Sequence, residues 1–299
     1  MTYQVDILKV TAFLKIIIQK RVNIIELNWI NQQEKILKNN FQSRSFYLAF
    51  SSAPRFISKK ILFLTDEELS EADLLRKGFQ PERWSLLQCV RTYFLLLLPV
   101  EDAENFEATM TKLFETADME EQVTLYAALP LLPYPDFLTK RATEGLRTNI
   151  TDVFDAIALH NPFPIDYLNE DAWNQMILKA VFMQRPLYRI YGGDKRANPE
   201  LARMLVDFAH ERWAANRQVS PELWRFVGPF LNKNYLTDIE KVIKGNSLEI
   251  EAGLMACTSS KQAKGEQILN QFPDIKKDIE NGRLNWNMIG IKNENNLET

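Results

Sequence analysis

Apolar residues recur at helical spacing almost from end to end of this chain, and sustained alternation with a period of two is nearly absent. Between residues 3 and 39, Phe13, Leu14, Ile17, Ile18, Trp29 and Ile30 belong to an apolar stripe beside a Lys/Asn/Gln face, which predicts one or two amphipathic helices laid on a core. Residues 41–56 begin helically and break at Pro54. Pro81 holds the first-turn position of a helix that runs to Pro99 and is hydrophobic on nearly all sides past Cys89. Helices follow over 101–117, 119–129, 136–147 and 150–159, with Pro130, Pro133 and Pro135 marking a bend.

The most informative stretch is Asn169–Arg185. At about 100° per residue, Trp173, Met176, Ile177, Ala180, Val181 and Phe182 fall around nearly the whole cylinder, the pattern of a helix buried in an all-helical core. Asn169 is its expected cap, Glu170 and Asp171 suit its first turn, and Pro186 ends or kinks it. Ahead of it, HNPFP (160–164) predicts an extended turn. Asn198-Pro199-Glu200-Leu201 and Ser220-Pro221-Glu222-Leu223 share one start signal: a capping residue, then Pro, then an acid at the positive end of the helix dipole. Segments at 235–244, 247–258, 262–271 and 274–281 read as two more hairpins, and residues 290–299 as a polar, frayed tail.

The hairpins recur at unequal intervals and no low-complexity linker divides them. The expected fold is therefore all-α, an irregular α–α superhelix of helical hairpins of the HEAT or armadillo kind. It is expected as a single extended domain over 1–299, with 1–40 an N-terminal helical extension.

Composition sharpens this by exclusion. Ten glycines among 299 residues are too few for a hairpin-rich sheet protein. Lys+Arg at 36 against Asp+Glu at 39 leaves no basic excess to neutralise a phosphate backbone, so nucleic acid is not an expected partner. Cys89 and Cys257 sit far apart in apolar runs without CxxC spacing, which fits buried packing in a reducing compartment and builds no zinc framework. The first residues, interrupted by Asp6, Lys9 and Lys15, lack the apolar core of a signal peptide, and Tyr93–Val100 is far too short to span a membrane. A cytoplasmic protein without a transmembrane segment is expected.

Candidate chemistry rests on cations where a helical core would exclude them. In the helix 199–213, Leu201, Met204, Leu205, Phe208, Ala209 and Trp213 form an apolar arc opposite Arg203, Asp207, His210 and Glu211, but Arg212 points from the middle of the arc. It either meets a buried carboxylate, snorkels, or holds an anionic ligand. Arg91, Lys179 and Arg225 repeat the anomaly more weakly, and all four could converge on one anion-binding cavity. Arg91 needs a carboxylate or carbonyl partner. His160 begins a turn, His210 pairs with Asp207 at i, i+3, and Asn174 is best used on a backbone carbonyl between helices. His160, Asp207 and His210 are a chemically possible metal set, but structural histidines fit better, so no metal and no cofactor are expected. No GxSxG, phosphate-binding glycine loop or dinucleotide fingerprint is present.

The runs HNPFPIDYLNEDAWNQMILKAVF (160–182) and DKRANPELARMLVDFAHERWAANRQVSPELWRFVGPF (194–230) resemble the EboA family; FYLAFSSAPRF (46–56), PERWSLLQCVRTYFLLL (81–97) and GRLNW (282–286) are similar more weakly. The family is encoded in a bacterial gene cluster beside a prenyltransferase-like membrane protein, sugar-cyclase-like and TIM-barrel proteins. The resemblance implies a helical cytoplasmic protein serving a pathway that makes, modifies or exports a secondary metabolite, with other proteins of the cluster or a small metabolite as partner. It carries over no catalytic residue. Two functions are expected: a non-catalytic adaptor or small-molecule carrier, or alternatively an enzyme acting on an anionic or polyol-like intermediate through Lys179, Arg212 and His160 or His210.

Overall fold

The computed structural model describes residues 5–39 and 41–298. Eighteen α-helices make up most of them, and among the described residues strand pairing is limited to one antiparallel bridge between Ile61 and Ser85. Residues 1–4 and 40 of the expected extension, and residue 299 of the expected tail, lie outside the described residues. The helical hairpins group into two compact units, the first ending at Leu168 and the second beginning at Asn169.

In the first unit, α1 (Ile7–Gln19) starts where the Asp6 carboxylate accepts the Lys9 N–H at 3.1 Å. Its buried face of Val10, Phe13, Leu14, Ile17 and Ile18 packs on α4 (Asp66–Leu75) and α5 (Leu86–Leu95). Each such side chain contributes about 2 kcal/mol of transfer free energy before entropy is subtracted. The segment expected as an extension is thus part of the core. α2 (Ile24–Asn39) packs on α3 (Ser43–Ser52), which gives way at Pro54 to a 3₁₀ turn. The helix expected from Pro81 starts later: Pro81–Arg83 is a 3₁₀ turn, Trp84 and Ser85 are extended, and the Ser85 hydroxyl caps α5 by accepting the Gln88 N–H at 3.1 Å. Backbone bonds from Leu62 N to Trp84 O and from Leu86 N to Lys60 O hold that pair extended. α6 (Ala103–Thr116), α7 (Met119–Ala127), α8 (Pro135–Gly145), α9 (Thr151–Ala158) and α10 (Phe163–Tyr167) complete the unit, with α7 packed on both α5 and α9.

The second unit opens with α11 (Glu170–Phe182) and α12 (Pro199–Ala214), which pack on each other. Both are capped as their sequences predict: Asn169 accepts the Ala172 N–H and Asn198 the Leu201 N–H, each at 2.8 Å. Ser220-Pro221-Glu222-Leu223 does not start a helix in this way. Pro221–Leu223 is a 3₁₀ turn without a side-chain cap, and it runs into the short α13 (Trp224–Val227). There follow α14 (Lys233–Val242), α15 (Ser247–Thr258), α16 (Ala263–Leu269), α17 (Pro273–Glu280) and α18 (Trp286–Glu298). Residues expected to fray from 290 onward continue α18 as far as Glu298.

Candidate functional site

α11 is buried on one side only. Trp173, Asn174, Met176, Ile177, Ala180 and Val181 face the core, whereas Phe182 is 71% exposed and Gln175 is exposed, so the expectation of burial all round fails. Trp173 and Ala180 are wholly buried, whereas the stripe Gln175, Leu178, Lys179, Phe182 lies on the open side. It faces a matching stripe on α12, Phe208, Glu211, Arg212 and Ala215, and the two line an open groove of about 600 Å³ together with Arg217. Both stripes have the i, i+3, i+4, i+7 spacing of one helix face.

The two helices end in the same way, and the ending brings in Arg217. Asn216 takes a left-handed conformation at φ 53°, its N–H donates to Trp213 O at 3.0 Å, and the Arg217 N–H reaches back to Arg212 O at 2.9 Å. This is a Schellman closure with Asn where glycine is common. α11 repeats it with Gln184 at φ 55°, Gln184 N to Val181 O and Arg185 N to Ala180 O. The reversal after α12 folds Arg217 back over the last turn that carries Arg212. Arg212 is anchored by its Nε, which donates to Gln218 O at 3.0 Å. Lys179 is half-buried, and burial pushes its ammonium below the ordinary lysine value. The groove therefore sets three cations, Lys179, Arg212 and Arg217, and one carboxylate, Glu211, around the apolar Leu178, Phe182 and Phe208.

Of the seven residues singled out in the sequence, Lys179 and Arg212 meet in this groove. Arg91 belongs to the first unit, where its wholly buried guanidinium donates from Nε to Phe50 O at 3.1 Å and from Nη2 to Glu121 at 3.3 Å. Both partner types its burial demanded are present. Arg225 grips the Asp194 carboxylate with Nε and with Nη2, the latter at 2.6 Å. The four cations therefore do not converge, because two of them already have carboxylates. Asn174 pairs with another side chain rather than with a backbone carbonyl: it donates to Asn198 Oδ1 at 3.2 Å and accepts from Asn198 Nδ2 at 2.8 Å. His210 lies 2.8 Å from Asp238, not on Asp207, which Arg203 holds at 2.6 Å. His160, in the first unit, has Nδ1 3.2 Å from Gln80 Oε1. Among the described residues no group of three or more His, Cys, Asp or Glu comes together to hold a metal. Cys89 and Cys257 are buried, which pushes their thiols up to about 12 and about 11.

Phe182, Phe208, Glu211 and Arg217 were not singled out as site residues. For the first three a signal existed, since each shares a helix face with Lys179 or Arg212. Arg217 had none, because its place depends on the backbone reversal at Asn216.

Fold and groove together define an all-helical protein with an open, cation-rimmed cleft. The chain belongs to the EboA family: the family model, described as "Metabolite traffic protein EboA", matches residues 10–228, well over half of the chain's 299 residues. No curated protein and no solved structure matched the chain. Among the described residues no helix is long and apolar enough to cross a membrane.

Proposed function

We propose that this protein is a non-catalytic carrier that holds a small, partly apolar anion in the groove between α11 and α12. The observation that carries the reading is the lining: Lys179, Arg212 and Arg217 beside Leu178, Phe182 and Phe208. An exposed phenylalanine next to the half-buried Lys179 and Arg212 suits a ligand with an apolar body and an anionic end, since the apolar part regains contact area and the anion meets charge-assisted donors. The metabolite traffic description of the family supports the same reading. The alternative reading as an enzyme lacks its histidine there, because neither His160 nor His210 is among the residues that line the groove.

Native mass spectrometry of the protein purified from its own cells, followed by calorimetric titration with the metabolite found, tests the proposal. Lys179→Met and Arg212→Leu are each expected to keep the fold and to weaken binding about tenfold, the loss of one charge-assisted hydrogen bond of about 1.4 kcal/mol. Unchanged affinity in both variants sinks the proposal. So does a metabolite that binds with the groove intact but is converted to product.

A further inference from the structure

We propose that α18 is a pH-released strap: it docks over Glu222 while that carboxyl is neutral and lets go when the carboxyl ionises. Glu222 is wholly buried in the turn Pro221–Leu223, which α18 covers. Its Oε2 accepts the Tyr188 N–H at 2.6 Å, while Oε1 has no hydrogen-bond partner among the described residues. A buried carboxylate with half its acceptor capacity unmet is costly, whereas a neutral carboxyl in the same place is not.

α18 lies tightly on this group. A Cβ at Gly290 would stand 2.7 Å from Glu222 Oε2 and 2.3 Å from the Tyr188 ring, so only glycine lets the helix approach. Besides Ile289, which is fully buried, and the half-buried Trp286, α18 is held by polar contacts: Glu294 accepts from Tyr188 Oη at 2.7 Å and from Arg189 at 2.5 Å, and Lys292 meets Glu251 at 2.7 Å. Met288 and Ile291, which could have widened an apolar contact, are exposed at 39% and 46%. A helix held in part by polar contacts at its solvent-facing rim is one that can open locally.

The charged and titratable groups on the elements packed about Glu222 include Tyr188 and Arg189 on the turn Leu187–Arg189, Arg225 on α13, Glu251 on α15, and Lys292 and Glu294 on α18. Arg225 favours the ionised form but is already held by Asp194. Burial outweighs it, together with the Tyr188 and Leu187 N–H groups and Asn293, and raises Glu222 from the ordinary 4.5 to about 7. A folded value above the unfolded one means that the docked state holds its proton more tightly. Docking is then strongest below about 4.5 and is lost as the pH rises through about 7.

Hydrogen exchange of the full chain at pH 6 and pH 8, corrected for intrinsic chemical exchange, decides the matter. Protection of the α18 amides is expected to fall about tenfold relative to those of α12 over this range, and to stay level in Glu222→Gln. Parallel behaviour of α18 and α12 in the native chain overturns the strap, as does an equal fall in Glu222→Gln. Gly290→Ala supplies an independent reading should Glu222→Gln not fold. Its α18 is expected to be unprotected at both pH values while α12 stays protected, and a protected α18 in that variant also overturns the proposal.

Discussion

Arg91, Arg212 and Arg225 look alike in the sequence, each a cation on an apolar helix face, yet their surroundings differ in kind. Arg91 is sealed in with Glu121 and the Phe50 carbonyl, Arg225 holds a half-exposed Asp194, and Arg212 faces the groove. Removing one partner of a buried pair strands the other, so Arg91→Met is expected to destabilise by about 3 kcal/mol. Arg225→Met, whose partner returns to water, is expected to lose about 1 kcal/mol, and Arg212→Leu to stay within about 0.5 kcal/mol. Urea midpoints of the three variants at neutral pH check the order. A single sequence shows that such a cation needs a partner but not which distant residue supplies it. Glu121 is 30 residues from Arg91, and Asp194 is 31 from Arg225. Glu222 was misjudged for a related reason. An acid after Ser-Pro has the pattern of a solvated first turn, and only the packing of α18 and α15 over it makes it buried.

At the level of elements, local chemistry predicted starts better than ends. Asn169 and Asn198 cap α11 and α12 as their sequences promise, but the second cap also bonds Asn174, a residue 2% exposed. Asn169→Ala should therefore lose a surface cap, about 1 kcal/mol, while Asn198→Ala loses the cap and leaves a buried amide unmatched, about 3 kcal/mol in all. Chemical denaturation of both variants separates these values; equal losses would mean that the amide pair adds nothing. The helix ends at Gln184 and Asn216 were not legible in the same way. Both residues take the left-handed conformation that glycine usually fills, and tertiary context holds them there. The expected helix from Pro81 fails on similar grounds, since the bridge from Lys60–Leu62 to Trp84–Leu86 outweighs local propensity.

Across the molecule, the most strongly shifted carboxyl of each unit responds to pH in the opposite direction. In the first, Arg21 holds the Glu68 carboxyl down to about 2. Glu26, Glu34 and Asp73 also lie below the ordinary range, because hydrogen bonds from backbone N–H groups and lysines outweigh the burial that would raise them. Depressed carboxyls stabilise the fold above about 4.5 and lose that contribution as the pH falls; for Glu68 alone it is about 3 kcal/mol, gone near pH 2. In the second unit Glu222 is raised, and its contribution is lost in the other direction, through about 7. Hydrogen exchange resolved by element is expected to show α1 and α4 opening first below pH 4, with Glu68→Gln removing most of that dependence. A first unit indifferent to acid would contradict the assignment. The all-α class, most helix starts, the family and the suspicion attached to Lys179 and Arg212 could all be read from the chain, because helical periodicity, capping chemistry and misplaced charges are local. Which cations are neutralised, which helix face stays open as a groove, and which carboxyl ends under α18 depend on residues tens of positions apart. Those were decided only when the helices packed, since burial and pairing are properties of the assembled fold.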